Sequence, residues 1–286
     1  MEQQSKGWWS GLIGVLIFSG SLPATRVAVD GFDPFFLTSA RAVLAAALGM
    51  LFLTLLKQKR PDRADLTSLS ITALGVVLGF PLLTALALEH ITSAHATVYI
   101  GLLPLATAVF GVLRGGERPA PLFWLFSMTG SLIVAGFAFT ESDGASLYGD
   151  SLMIAAIIVC GLGYAEGARL SQKLGGWQVI SWALVLSLPI MSCLAFLTLP
   201  LTWSVISIPA WVGLAYVSAF SMLIGFIFWY RGLALGGITG VGQLQLLQPF
   251  FSLILAAFLL QESIEPAMIG ATVVVVVCVA GAKRFG

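Results

Sequence analysis

The stretch QLQLLQPF at residues 243–250 sets Gln243, Gln245, Gln248 and Pro249 within one of the most apolar parts of the chain. Amides placed there need partners, because burying one unpaired costs roughly 2–7 kcal/mol depending on the reference state. Gln245 and Gln248 stand three apart and share a helix face. Pro249 removes an N–H, which is expected to leave the carbonyl of Gln245 free on the same turn. Neutral amides both donate and accept, so this face suits the ammonium and carboxylate of a zwitterion without burying a net charge. The alternative is that the amides bond neighbouring helices, at about 0.6–2 kcal/mol per contact. That alternative weighs most for Gln243.

A second polar stripe, HATVYIGLLP, puts His95 and Tyr99 four apart ahead of Pro104. Tyr99 could stack on an apolar or aromatic group, and His95 could donate or accept; a histidine at the headgroup level is the competing account. Tyr164, among Gly161, Gly163 and Gly167, adds a third polar aromatic. Charges inside apolar runs are few. Arg41 has a backbone carbonyl, Asp30, Asp33 or a substrate carboxylate as candidate partners. Glu166 precedes Arg169 by three residues, which favours a local ion pair over a proton carrier raised in pKa by burial. No HExxH, carboxylate pair, Ser-His-Asp set or Cys/His cluster occurs, so neither catalysis nor a metal is expected. Cys160, Cys193 and Cys278 read as small apolar residues, and without a phosphate-cradling glycine loop no nucleotide or other cofactor is expected.

The elements that must hold these residues follow from composition. With 58% hydrophobic and 9% charged residues over 286, the chain reads as an all-α integral membrane protein. Windows of about 20 apolar residues give ten spans. They fall near 9–29, 33–56, 67–88, 92–113, 120–139, 150–172, 177–199, 208–230, 238–260 and 266–282. Such unbroken runs do not alternate as barrel strands must, and the first is about twice the length of a signal-peptide core. The N-terminus, the loops after even-numbered spans and the C-terminus carry 12 of the 14 Lys and Arg, which predicts a multi-pass protein with both termini cytoplasmic; a bacterial inner membrane is the expected location. Trp8, Trp9, Trp124, Trp177 and Trp229 are assigned to the inner ends of spans as interfacial anchors.

Setting PLATAVFGVLRGGE over PFFSLILAAFLLQE aligns Pro104 with Pro249 and Glu117 with Glu262, an offset of 145 residues. Five spans then repeat as five. An odd number inverts the second copy, giving repeats at 1–145 and 146–286, with a site expected between them near the midplane. Pro23, Pro81, Pro104, Pro189 and Pro249 are the expected hinges.

These ten spans, the repeated Pro-x12-Glu and Arg41 in TSARAVLAA resemble the EamA branch of the drug/metabolite transporter superfamily along the whole chain. Within that branch the overall look is similar to YddG-type aromatic amino-acid exporters. The resemblance implies a basket of spans 1, 3, 4, 6, 8 and 9 around a central cavity, with 5 and 10 peripheral. A span-2 arginine common to a family of many substrates favours a structural role for Arg41. The expected function is export of small neutral metabolites, foremost amino acids, by a chain that can act as a monomer in the bilayer without nucleic acid. Cationic drugs or other metabolites on the same fold are the alternative. A cation carrier would want a midmembrane carboxylate in span 1, which is lacking. Proton antiport and facilitated diffusion are equally compatible with the sequence.

Overall fold

The computed structural model describes residues 2–91, 96, 99–140, 146–260 and 266–286; His95 and Glu262 lie outside these. Among the described residues all regular structure is helical. The α-helices are α1 Glu2–Ser19, α2 Ser21–Val29, α3 Pro34–Leu55, α4 Leu66–Thr72, α5 Phe80–Ala87, α6 Leu103–Gly115 and α7 Pro121–Thr140. There follow α8 Leu147–Leu174, α9 Gly176–Leu197, α10 Ile208–Tyr216, α11 Phe226–Gly236, α12 Ile238–Gly242, α13 Gln248–Leu260 and α14 Pro266–Phe285. Six described stretches are long and apolar enough to cross a bilayer: Glu2–Val29, Pro34–Leu55, Arg63–Ala87, Leu147–Leu174, Gly176–Leu197 and Ile208–Gly236. Leu103–Gly115 and Pro121–Gly136 are shorter apolar helices.

Several of these stretches are interrupted. Between α4 and α5, residues Ala73–Gly79 form a π-helix, and between α10 and α11 residues Val217–Gly225 do the same. Shifting the first by the 145-residue offset lands it within the second, so the two halves share a local distortion that no motif announced. Between α12 and α13, Gln243–Leu247 tightens into a 3₁₀ turn. The prolines explain where regular helix resumes. Pro81, Pro104 and Pro249 each stand at the second residue of a new α-helix, and Pro23 stands at the third residue of α2. There a missing N–H costs little, because the first turn has no intrahelical acceptor for it. Pro189 differs, lying inside α9.

The packing repeats as the sequence does. α1 lies along α11, and α8 lies along α4, the π turn and α5; α3 pairs with α9, and α7 pairs with α14. Exchanging the halves turns the first of these contacts into the second and leaves the last two unchanged. Close approach depends on small residues. A Cβ on Gly75 would stand 2.4 Å from the Val159 carbonyl oxygen and 2.9 Å from the Cα of Gly163, and one on Gly232 would stand 2.6 Å from the Gly11 nitrogen. One core runs through the bundle from Trp8 and Val15 to Tyr164, Trp229 and Leu246. Leu125, Leu132, Val273 and Val277 on α7 and α14 remain exposed, as a surface facing lipid would.

One face of the bundle gathers the basic ends. Lys283 sits over the Trp8 ring at 4.7 Å, the Ala120 N–H donates to the Phe285 carbonyl, and Lys173 donates to Asp65 at 2.8 Å and to Asp62 at 3.1 Å.

Candidate functional site

The buried polar residues of α8, α11 and the 243–247 turn meet in the interior. Gln245, buried, donates from Nε2 to the Tyr164 hydroxyl at 3.2 Å. Tyr164 lies edge-on to Trp229 at 5.6 Å and to Phe226 at 6.1 Å. Phe18 of α1 closes the same cluster, 5.0 Å from Phe226 and 6.2 Å from Trp229. The cluster is thus aromatic apart from the one amide–hydroxyl bond within it. Gln245 and Trp229 each lie seven residues from the basic-face end of their span, about 10 Å deep at 1.5 Å per residue.

Trp229 was expected at the membrane interface and is instead fully buried, with its indole N–H unpartnered. Position alone suggested an anchor; the cluster FIFWYRG, which brings Phe226, Trp229 and Tyr230 into one helix, was the signal for a core role. A second correction concerns the Gln245 carbonyl, expected to be free. The 3₁₀ turn lets the Gln248 N–H reach it, so Pro249 strands nothing there.

The other glutamines divide. Gln243, fully buried, donates to the Pro104 carbonyl at 3.3 Å and so ties α6 to the 243–247 turn across the halves. Gln248 is half-buried, and its carbonyl accepts from the Ser19 hydroxyl at 3.3 Å beside the break after α1. The side-chain oxygens of Gln243 and Gln245 are sealed and unpartnered, as is the Trp229 nitrogen. Each such group costs about 1–3 kcal/mol in an apolar interior.

Tyr99 does not join this cluster. It pairs with Asp150, which is 14 residues from Tyr164 along α8, about 21 Å at 1.5 Å per residue. It packs near Ala87, Ile91 and Met153 and also against the edge of the main core. Glu166 is fully buried and makes more bonds than the expected pair with Arg169 at 3.1 Å. Arg114 of α6 also bonds it, and Ser68 of α4 donates to it at 2.8 Å. Its carboxylate is thus occupied from three elements. Arg41 is the opposite case: its Nε is buried and unpartnered, and among the described residues its guanidinium has no ion pair. Asp33 is engaged elsewhere, accepting from the N–H groups of Phe35 and Phe36 as the cap of α3.

Glu117, the end of the repeated motif, has a defined task. Its two carboxylate oxygens accept from the N–H groups of Ile238 at 2.6 Å and Thr239 at 2.7 Å. α12 needs this cap, because its own N-cap residue is Gly237 at φ 93°, with no side chain to supply one. A recess of about 400 Å³ borders Glu117, Trp8, Arg118 and Lys283 on the basic face, away from Tyr164 and Gln245.

Set against known proteins, the chain matches the sequence pattern of the EamA-like transporter family twice, at residues 5–140 and 147–282. It is 63% identical over 285 residues to an uncharacterized transporter of Bacillus subtilis strain 168, YdeK, covering 100% of this chain and 99% of that one. It is 23% identical over 277 residues to a probable terminal-alkyne amino-acid exporter of Streptantibioticus cattleyicolor, covering 93% and 90% of the two chains. A crystal structure with 18% sequence identity superimposes with a TM-score of 0.81 over 98% of this chain and 99% of that one, a likeness of fold.

Proposed function

The chain belongs to the EamA-like transporter family, and from that premise we propose that it is a secondary transporter exporting small neutral metabolites, foremost amino acids. The two halves form inverted five-helix repeats that rock against each other, opening the interior alternately to the cytoplasm and the outside. The chain lies in the bacterial plasma membrane with its basic face and both termini cytoplasmic.

The observation that carries this reading is the meeting of Gln245 with Tyr164 inside a ring of Phe18, Phe226 and Trp229. Aromatic faces suit an apolar or aromatic side chain, and neutral amides suit charged ends that must not bring a protein counter-charge with them. The non-α turn at 243–247 supports it, since discontinuous helices line the substrate sites of secondary transporters. The distant relative named an amino-acid exporter points the same way. A cationic cargo is less well served. Glu166, the buried acid nearest this cluster in sequence, is already bonded to Arg114, Arg169 and Ser68.

The test is uptake of labelled phenylalanine, methionine, threonine and glutamate by proteoliposomes, with and without an imposed pH gradient. Saturable uptake of the neutral amino acids above empty vesicles is expected, and the pH arm reports whether protons are coupled. Absence of uptake for all four would overturn the amino-acid reading.

A further inference from the structure

The sealed polar atoms of the 243–247 turn and of Trp229 are of two kinds. The Trp229 indole can only donate, whereas the side-chain oxygens of Gln243 and Gln245 can only accept. The orientation of Gln243 is fixed by its bond to the Pro104 carbonyl, which accepts only, so the oxygen is the atom left over. All three groups are neutral; Tyr164 touches both Gln245 and Trp229, and Gln243 stands two residues before Gln245 on the same 3₁₀ turn. An inorganic or organic anion would use the donor alone, and an organic cation would use the acceptors alone. A group pair carrying both, on adjacent atoms, uses the whole set.

We propose that Trp229 and the two amide oxygens form the recognition set for an α-amino acid zwitterion. The indole N–H donates to the carboxylate, and Gln243 and Gln245 accept from the ammonium. The inference rests on the reading of this cluster as the substrate site and names how that site selects. Because the three atoms are sealed here, the structure holds the site shut around itself. Substrate is admitted as the helices part, and it then satisfies these three unpaired groups. This makes Trp229 a specificity-determining residue and not an interfacial anchor.

The experiment compares three ligands of one shape on purified, detergent-solubilised protein: phenylalanine, phenethylamine, which lacks the carboxylate, and 3-phenylpropionate, which lacks the ammonium. Binding is read by displacement of labelled phenylalanine. The wild type is expected to bind phenylalanine at least about tenfold more tightly than either analogue, the scale of one hydrogen bond to a charged group. Trp229→Phe keeps a ring but drops the N–H; it should weaken phenylalanine and 3-phenylpropionate about tenfold and leave phenethylamine unchanged. Gln245→Met should weaken phenylalanine and phenethylamine and leave 3-phenylpropionate unchanged. Melting temperature and size-exclusion profile confirm that each variant folds. Trp229→Phe binding all three ligands as the wild type does, or losing all three equally, would overturn the inference while leaving amino-acid transport standing. A wild type that binds no amino acid removes the reading of the site and this inference with it.

Discussion

Arg41 and Glu166 are two charges in apolar helices with opposite circumstances, and they predict opposite mutational outcomes. Glu166 is bonded by Arg114, Arg169 and Ser68, so Glu166→Leu leaves two guanidinium groups without their carboxylate. Breaking a buried pair from one side costs about 3–5 kcal/mol. With both arginines nearly half exposed, about 2–3 kcal/mol is expected here, read as a fall in melting temperature. Arg41 loses no partner among the described residues on substitution. Arg41→Met should therefore keep or raise the melting temperature, and a fall of several degrees would mean that the guanidinium stabilises the fold after all. The sequence already paired Glu166 with Arg169, because that pairing is local. It could not offer Arg114, which is 52 residues away and reaches Glu166 only through the packing of α6 on α8.

At the scale of elements, the helix ends are held by charges from other parts of the chain. Glu117 caps α12 from across the repeat, so Glu117→Ala should cost about 1–2 kcal/mol, measured by thermal unfolding, while Glu117→Gln should recover part of it. Lys173, at the basic end of α8, is held above the ordinary lysine pKa by its hydrogen bonds to Asp65 and Asp62. A raised folded pKa means that the bonds stabilise the fold in full below the ordinary lysine range, and that this contribution is lost as pH rises through the raised value. The gap in melting temperature between wild type and Lys173→Met should thus be constant from neutral pH to about pH 10 and close above it. A gap that closes at acid pH alone would contradict this assignment. Of the five prolines expected as hinges, four fall at helix starts, where the missing N–H is cheap, and Pro189 lies inside α9. The π turns at 73–79 and 217–225 were not legible, since they arise from how α4–α5 and α10–α11 pack and carry no residue signature beyond scattered glycines.

At the scale of the whole molecule, the repeat was readable because apolar length and the Pro-x12-Glu spacing are properties of the chain alone. The membership in one family of residues 5–140 and 147–282 separately agrees with it. The candidate site was readable only in part. Gln245 and Tyr164 were both singled out, and the fold brings them within 3.2 Å; Tyr99 is drawn off to Asp150, and Trp229 enters from a helix whose end was read as its place. Depth along a span can be counted from sequence, but which face turns inward depends on neighbours that are distant in the chain. If the halves rock about a shared interior, closing one face must open the other, so a single residue of the site should be reached in turn from both. A cysteine at Gln248, which is half-buried beside the break after α1, should then be labelled by a membrane-impermeant thiol reagent from each side of oriented vesicles, and protection from both sides would contradict alternating access. The background thiols Cys160, Cys193 and Cys278 are replaced first.

The central claim is that amino acids pass through the cluster joining Gln245 to Tyr164, and exchange tests it most directly. Proteoliposomes preloaded with unlabelled phenylalanine should take up labelled phenylalanine faster than empty ones, and Gln245→Leu should abolish that acceleration while the protein stays folded and monodisperse. Full exchange in the variant would mean that the Gln245 amide serves only to bond helices, and would remove the cluster from the transport path.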